Sequence, residues 1–209
     1  MIEKYYLKYL KYKKKYLEKK QQKGGSSFKD DLPVDVITAE DLKPRMKDNL
    51  HIIFEKYEIE PYLFTKKIFI APDYDTIPHS HPVLTISARY LLNKEFPIEK
   101  LLIMFIHEQL HWFEEENKDK FEIVRAELKK LYPNVRLQPP FGSRFENSTY
   151  NHIIICFFEY KIVKKLINDD ERTDKLYENP KFYIDIYETI FKYYDKIEKL
   201  LNDNDLIIS

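Results

Sequence analysis

The stretch Leu101-Leu102-Ile103-Met104-Phe105-Ile106-His107-Glu108-Gln109-Leu110-His111-Trp112-Phe113 constrains this chain more than any other. Six apolar residues precede His107 and two aromatic residues follow His111, which suits a helix threaded through a core. At 3.6 residues per turn, positions four apart lie about 40° from eclipsed, so His107 and His111 project from one face with Glu108 beside them. Two imidazoles and a carboxylate carried into a core need partners, because desolvating them unpaired is costly.

A metal ion answers that need. Neutral imidazole nitrogens suit Zn²⁺, and a catalytic zinc keeps one position for water, so three protein ligands are expected. Glu108, next to His107 on the helix, can take a proton from that water and leave the metal to the histidines. Zinc lowers the pKa of its water to about 7, and the carboxylate makes that water a nucleophile for a carbonyl.

The motif His107-Glu108-Gln109-Leu110-His111 resembles the HExxH of the zincin class of metallopeptidases. The resemblance implies a zinc centre in which His107 and His111 are ligands and Glu108 is the general base. It also implies a third ligand from further along the chain, and an edge strand beside the helix that pairs with an extended substrate. Asn117 stands where a metzincin has its third histidine, so that branch does not fit and no subfamily is assigned.

After His111 the only histidine is His152, in the apolar run Asn151 to Tyr160 that Asn147 or Ser148 can cap as a helix. On that helix Glu159 lies seven residues on, about 20° short of two turns, so both side chains face one way. Two assignments stay open. Either His152 completes a three-histidine site and Glu159 orients a histidine from behind, or Glu159 is the ligand, as in the gluzincin branch, and His152 helps bind the carbonyl. Val163 stands where gluzincins usually carry an aspartate. Tyr150 is a further candidate donor, though a core role suits it better.

Only 3 glycines in 209 residues argue against a turn-rich sandwich and predict a helix-dominated α+β domain with a small sheet beside the motif helix. The 17 Tyr and 14 Phe supply a core. The single cysteine, Cys156, cannot form an intrachain disulfide, so a reducing compartment and cytosolic synthesis are expected. No apolar run reaches the roughly 18 residues of a membrane span, and the N-terminus lacks the apolar core of a signal peptide.

Periodicity leaves room for a short strand at Val34–Thr38 and predicts a helix over Asp41–Tyr57 with His51 in a structural role. Strands follow at Lys67–Ala71 and within Tyr74–Arg89, the latter with Val83–Ser87 as its core. Pro78-His79-Ser80-His81-Pro82 should stay extended at a sheet edge, where His79 or His81 could reach the cleft and help stabilise an oxyanion. The motif helix should run from Pro97, as its first residue, to about Glu115, followed by a helix over Asp119–Leu131. A long loop, Pro133–Glu146, separates the motif from the third ligand. A short helix from Lys175 and one over Pro180–Leu201, with Tyr183, Tyr187, Ile190 and Tyr194 at helical spacing, read as packing elements.

The charge is unevenly placed. Residues 1–23 hold nine Lys and two Glu, a net of +7, which leaves −7 on the remainder of a neutral chain. This Lys-Tyr segment ends at Gly24-Gly25-Ser26-Ser27, a natural joint, so the chain divides into a segment over 1–27 and a domain over 28–209. The segment resembles N-terminal segments of giant DNA virus proteins, which implies a viral origin and a virion-packaging or anchoring role. Contact with nucleic acid or acidic surfaces through the lysines is the other reading. The whole chain is thus expected to be a zinc metallopeptidase acting on a peptide or protein substrate. The alternative is a non-catalytic viral structural or interaction protein on a zincin-like scaffold.

Overall fold

The computed structural model describes residues 39–71, 76–87 and 97–208, which belong to one unit, Thr38–Ser209. The Lys-Tyr segment, its Gly24–Ser27 joint and the strand expected at Val34–Thr38 lie outside the described residues.

Seven α-helices and two short strands make up the described residues, a helix-dominated α+β arrangement. Helix α1 spans Ala39–Lys56 and leads through a 3₁₀ turn, Glu60–Tyr62, to strand β1, Ile68–Ala71. Strand β2, Leu84–Ser87, pairs with β1 in parallel, Ile68 opposite Leu84 and Ala71 opposite Ser87. Helices α2 (Ile98–Glu116), α3 (Lys118–Leu131) and α4 (Glu146–Ile167) follow, then α5 (Asp170–Tyr177), α6 (Ile184–Lys192) and α7 (Tyr194–Asp203).

Helix α2 has two faces of different chemistry. Leu101, Leu102, Phe105, Ile106, Gln109, Leu110 and Phe113 recur at helical spacing and are buried, each large apolar side chain gaining about 1.5–3 kcal/mol from burial. The other face carries His107, Glu108, His111 and Glu114. Pro97 is the extended N-cap and not the first helical residue expected, so the helix starts one position later, at Ile98.

The centre of the fold is α4. Thirteen of its residues are buried, including every position from His152 through Tyr160, and α2, α3, α5 and α6 all pack on it. Its partner α2 runs antiparallel, since His107 meets Glu159 while Glu114 meets Asn151. Helix α4 starts at Glu146, before the caps expected at Asn147 or Ser148; its N-cap is Phe145, which has no side-chain acceptor, and Ser148 lies within the first turn, bonded to Ser143 Oγ at 2.6 Å. It ends at Asn168 in the left-handed region, a conformation asparagine tolerates.

The small sheet docks on α2 through polar handles. The Gln109 amide bonds both backbone groups of Thr65 at 2.8 Å, and Trp112 Nε1–H donates to Ser80 O at 3.0 Å. The tail departs from the single helix expected over Pro180–Leu201: Tyr193 breaks it into α6 and α7. No helix among the described residues is long and apolar enough to cross a membrane.

Candidate metal centre

Helices α2 and α4 bring His107, His111 and His152 together, with one ring nitrogen of each within 4.8 Å of the others. Ring centroids lie 5.2 Å apart for His107 and His111, 5.4 Å for His107 and His152, and 5.1 Å for His111 and His152. Three imidazoles binding one tetrahedral ion at about 2.0–2.1 Å would have centroids about 5.2 Å apart. The triangle therefore has the dimensions of a site for a cation of zinc's size.

Each imidazole is also held from behind. His107 Nδ1–H donates to Glu159 Oε2 at 2.7 Å, His111 Nδ1–H to Glu114 Oε2 at 2.9 Å, and His152 Nδ1–H to the Ser148 carbonyl at 2.7 Å. Carboxylates and carbonyls only accept, so Nδ1 is the donor in all three, and the nitrogen left to face the others is Nε2. Such backing fixes ring orientation and tautomer in metal-binding histidines.

The backing groups are themselves anchored. Glu159 Oε1 accepts from Tyr177 at 2.9 Å and Tyr187 at 2.8 Å, so this buried carboxylate has three donors. Glu114 Oε1 accepts from Asn151 Nδ2 at 2.5 Å, and Arg125 holds Asn151 in turn. Of the two arrangements open for Glu159, this geometry has it behind His107, with His152 within the cluster. A second potential donor set, His107, Cys156 and Glu159, shares His107 and lies deeper.

Burial opposes charging of His107, yet the Cys156 thiol and the Glu159 carboxylate outweigh it and hold its pKa well above the ordinary imidazole value. Burial, joined by the nearby His107 and His111, pushes His152 well below that value, so its ring is neutral. Burial raises the Cys156 thiol, so the only cysteine stays protonated beneath the cluster.

Glu108 is 7% exposed, and no hydrogen bond or ion pair within the described residues engages its carboxylate. Its oxygens are not among the fully buried side-chain atoms that lack a partner, so they keep access to solvent and are available for proton transfer. Beside His111 opens a groove of about 330 Å³, whose lining includes Glu114, Asn151, Phe121, Arg125, His81 and Glu115.

His81 stacks on Trp112 at 4.2 Å and bonds Glu115 at 2.6 Å, which puts it on that groove. His79 instead bonds the Ile77 carbonyl, and its backbone bridges Thr85 at the sheet edge, away from the groove lining. Tyr150 is buried and donates to the Tyr132 carbonyl at 2.8 Å, a core role, and His51 is exposed on α1.

The tail corrects its reading as packing alone. Tyr177 and Tyr187 serve Glu159, and Tyr183 donates to His152 Nε2 at 3.0 Å. Their helical spacing is the same as that of Ile190 or Ile197; only a buried carboxylate in need of donors, Glu159, signals that hydroxyls must come from somewhere.

No family model, no curated protein and no solved structure matches the chain.

Proposed function

We propose that this chain is a zinc-dependent metallopeptidase with a zincin-like active site, in which His107, His111 and His152 hold the metal and Glu108 is the general base. The observation that carries the reading is the pairing of three imidazoles, each tied at Nδ1 and facing the others with Nε2, with the Glu108 carboxylate, which has no protein partner among the described residues. Zinc bound there would supply Lewis acidity to the scissile carbonyl and the attacking water. Glu108 takes the proton as the water oxygen adds to the carbonyl carbon and the C–O π pair moves onto oxygen. It returns that proton to the amide nitrogen, which leaves with the C–N electron pair as the oxyanion's pair re-forms the C=O bond. Glu159, anchored by Tyr177 and Tyr187, keeps His107 aimed and basic. The groove beside His111 gives a peptide somewhere to lie on one side of the cluster.

The test is a zinc-loaded Glu108→Gln variant assayed on a peptide library. The reading expects about one zinc per chain in both proteins, and cleavage by the wild type that the variant loses. Equal cleavage by both would remove Glu108 as the general base, and a wild type that holds zinc and cuts nothing would favour a non-catalytic scaffold instead.

A further inference from the structure

Arg125 lines the groove beside His111 with most of its hydrogen-bonding capacity unspent. It belongs to α3, where Lys118, Phe121, Glu122 and Arg125 share one face and together form a wall of the groove. A guanidinium carries five N–H donors. Among the described residues, Nη1 donates to Asn151 Oδ1 at 3.2 Å, and Nη2 lies 3.9 Å from Glu122 Oε1, an ion pair too long for a hydrogen bond. The Arg125 side chain is 18% exposed. A charged fork that is largely out of water and largely unbonded is short of an acceptor, and groups so placed are ordinarily satisfied.

The fork is fixed relative to the histidine cluster. Asn151 Nδ2 donates to Glu114 Oε1, and Glu114 Oε2 accepts from His111 Nδ1–H. Two side chains thus join Arg125 to His111, and Asn151 directly precedes His152. Helices α3 and α4 set this position, so a peptide whose carbonyl lies at the cluster and whose chain follows the groove passes Arg125.

The other charges of the groove say what would be accepted there. Glu114 spends both oxygens on His111 and Asn151, and Glu115 is bonded to His81. Glu122 is more than half exposed, so water and salt screen it. Lys118 has no hydrogen bond or ion pair among the described residues. The groove's acids are therefore engaged or screened, and the donors left over belong to its two cations. A planar guanidinium matches a carboxylate through two parallel N–H···O bonds. We propose that Arg125 is a specificity-determining residue of the peptidase proposed above, selecting substrates that place a carboxylate in this groove. The carboxylate is an aspartate or glutamate side chain near the scissile bond, or a free C-terminus. The inference rests on the peptidase reading, and Arg125 binds the substrate without taking part in bond making or breaking.

Matched peptides test this on the zinc-loaded full chain: glutamate against glutamine at each position flanking the bond that is cut, and free acid against amide at the C-terminus. Hydrogen bonds to a charged group correspond to about 10- to 100-fold, so kcat/KM should favour the acid member of one pair by that factor. A preference at a flanking position assigns the side chain, and one at the C-terminus assigns the chain end. Arg125→Gln should abolish the preference. Because Arg125 also braces Asn151, this variant is expected to be slower on every peptide, and the ratio within each pair is the quantity that such a general loss does not move. Fluorescence anisotropy of the same labelled pairs with zinc-loaded Glu108→Gln protein reads binding without turnover and should show the acid member held more tightly by a similar factor.

Equal rates within every pair, from a wild type that does cut, overturn this assignment and leave the peptidase reading standing. A preference that survives in Arg125→Gln overturns it as well. If Arg125→Gln does not fold, Glu122→Gln carries the test: removing the competing carboxylate should raise the acid preference a few-fold, and an unchanged ratio sinks the idea. A zinc-loaded wild type that cuts no peptide ends this assignment together with the peptidase reading.

Discussion

The acceptors behind the three imidazoles differ in kind, and the difference ranks the residues. His152 leans on a backbone carbonyl of its own helix, while His107 leans on a buried carboxylate with two phenol donors. Glu159→Gln leaves all three imidazoles and exchanges an ionised acceptor for an amide, so zinc affinity should fall by about 10- to 100-fold. His152→Ala removes a nitrogen donor outright and should cost much more. Chelator competition on both variants checks the order, and a larger loss for Glu159→Gln would make the carboxylate the ligand. His107, His111, His152 and Glu159 were legible as a group because spacings of four and seven decide which helical side chains share a face. Glu114 and Asn151 were not, because the bond between them depends on the antiparallel fit of two helices, which neither sequence stretch reveals alone.

Among the elements, α1, α2 and α5 are tied together by one buried carboxylate in the first turn of α2. Glu99 accepts from Lys56 and Tyr57, each at 3.3 Å, and from Arg172. Burial pushes its carboxyl up, but its own backbone N–H, Lys56 and Arg172 outweigh burial and hold the pKa below the ordinary glutamate value of 4.5. The folded value lies below the unfolded one, so this stabilisation is complete above about pH 4.5 and fades as pH falls through the folded value. Urea midpoints at pH 7 and pH 3 should show a drop in wild type that is smaller in Glu99→Gln; equal drops would remove Glu99 from the account. The same scale shows what periodicity can deliver. The ranges of α2, α3 and both strands follow their apolar patterns to within a residue or two. The tail does not, because the stripe through Tyr183, Tyr187 and Tyr194 continues in phase across the break at Tyr193. Gly142 carries no sequence signal either: a Cβ there would lie 2.3 Å from the Arg136 carbonyl, a closeness created by how the loop folds back.

For the molecule as a whole, a metal bound by both α2 and α4 would couple site and stability, because those helices carry much of the core. An ion that binds only the folded chain adds about 4 kcal/mol at a thousand times its Kd. For a unit of this size, that is a rise in melting midpoint of roughly 10 °C. Calorimetry of zinc-loaded protein before and after chelation should show the shift, and coincident transitions would mean that the folded state holds no such ion. The order of the chain adds a last consequence. Every histidine of the cluster is in place by His152, yet the phenols that steady Glu159 and cover His152 come from Tyr177, Tyr183 and Tyr187. A fragment lacking these tyrosines would own all three imidazoles and still leave Glu159 and His152 without these donors.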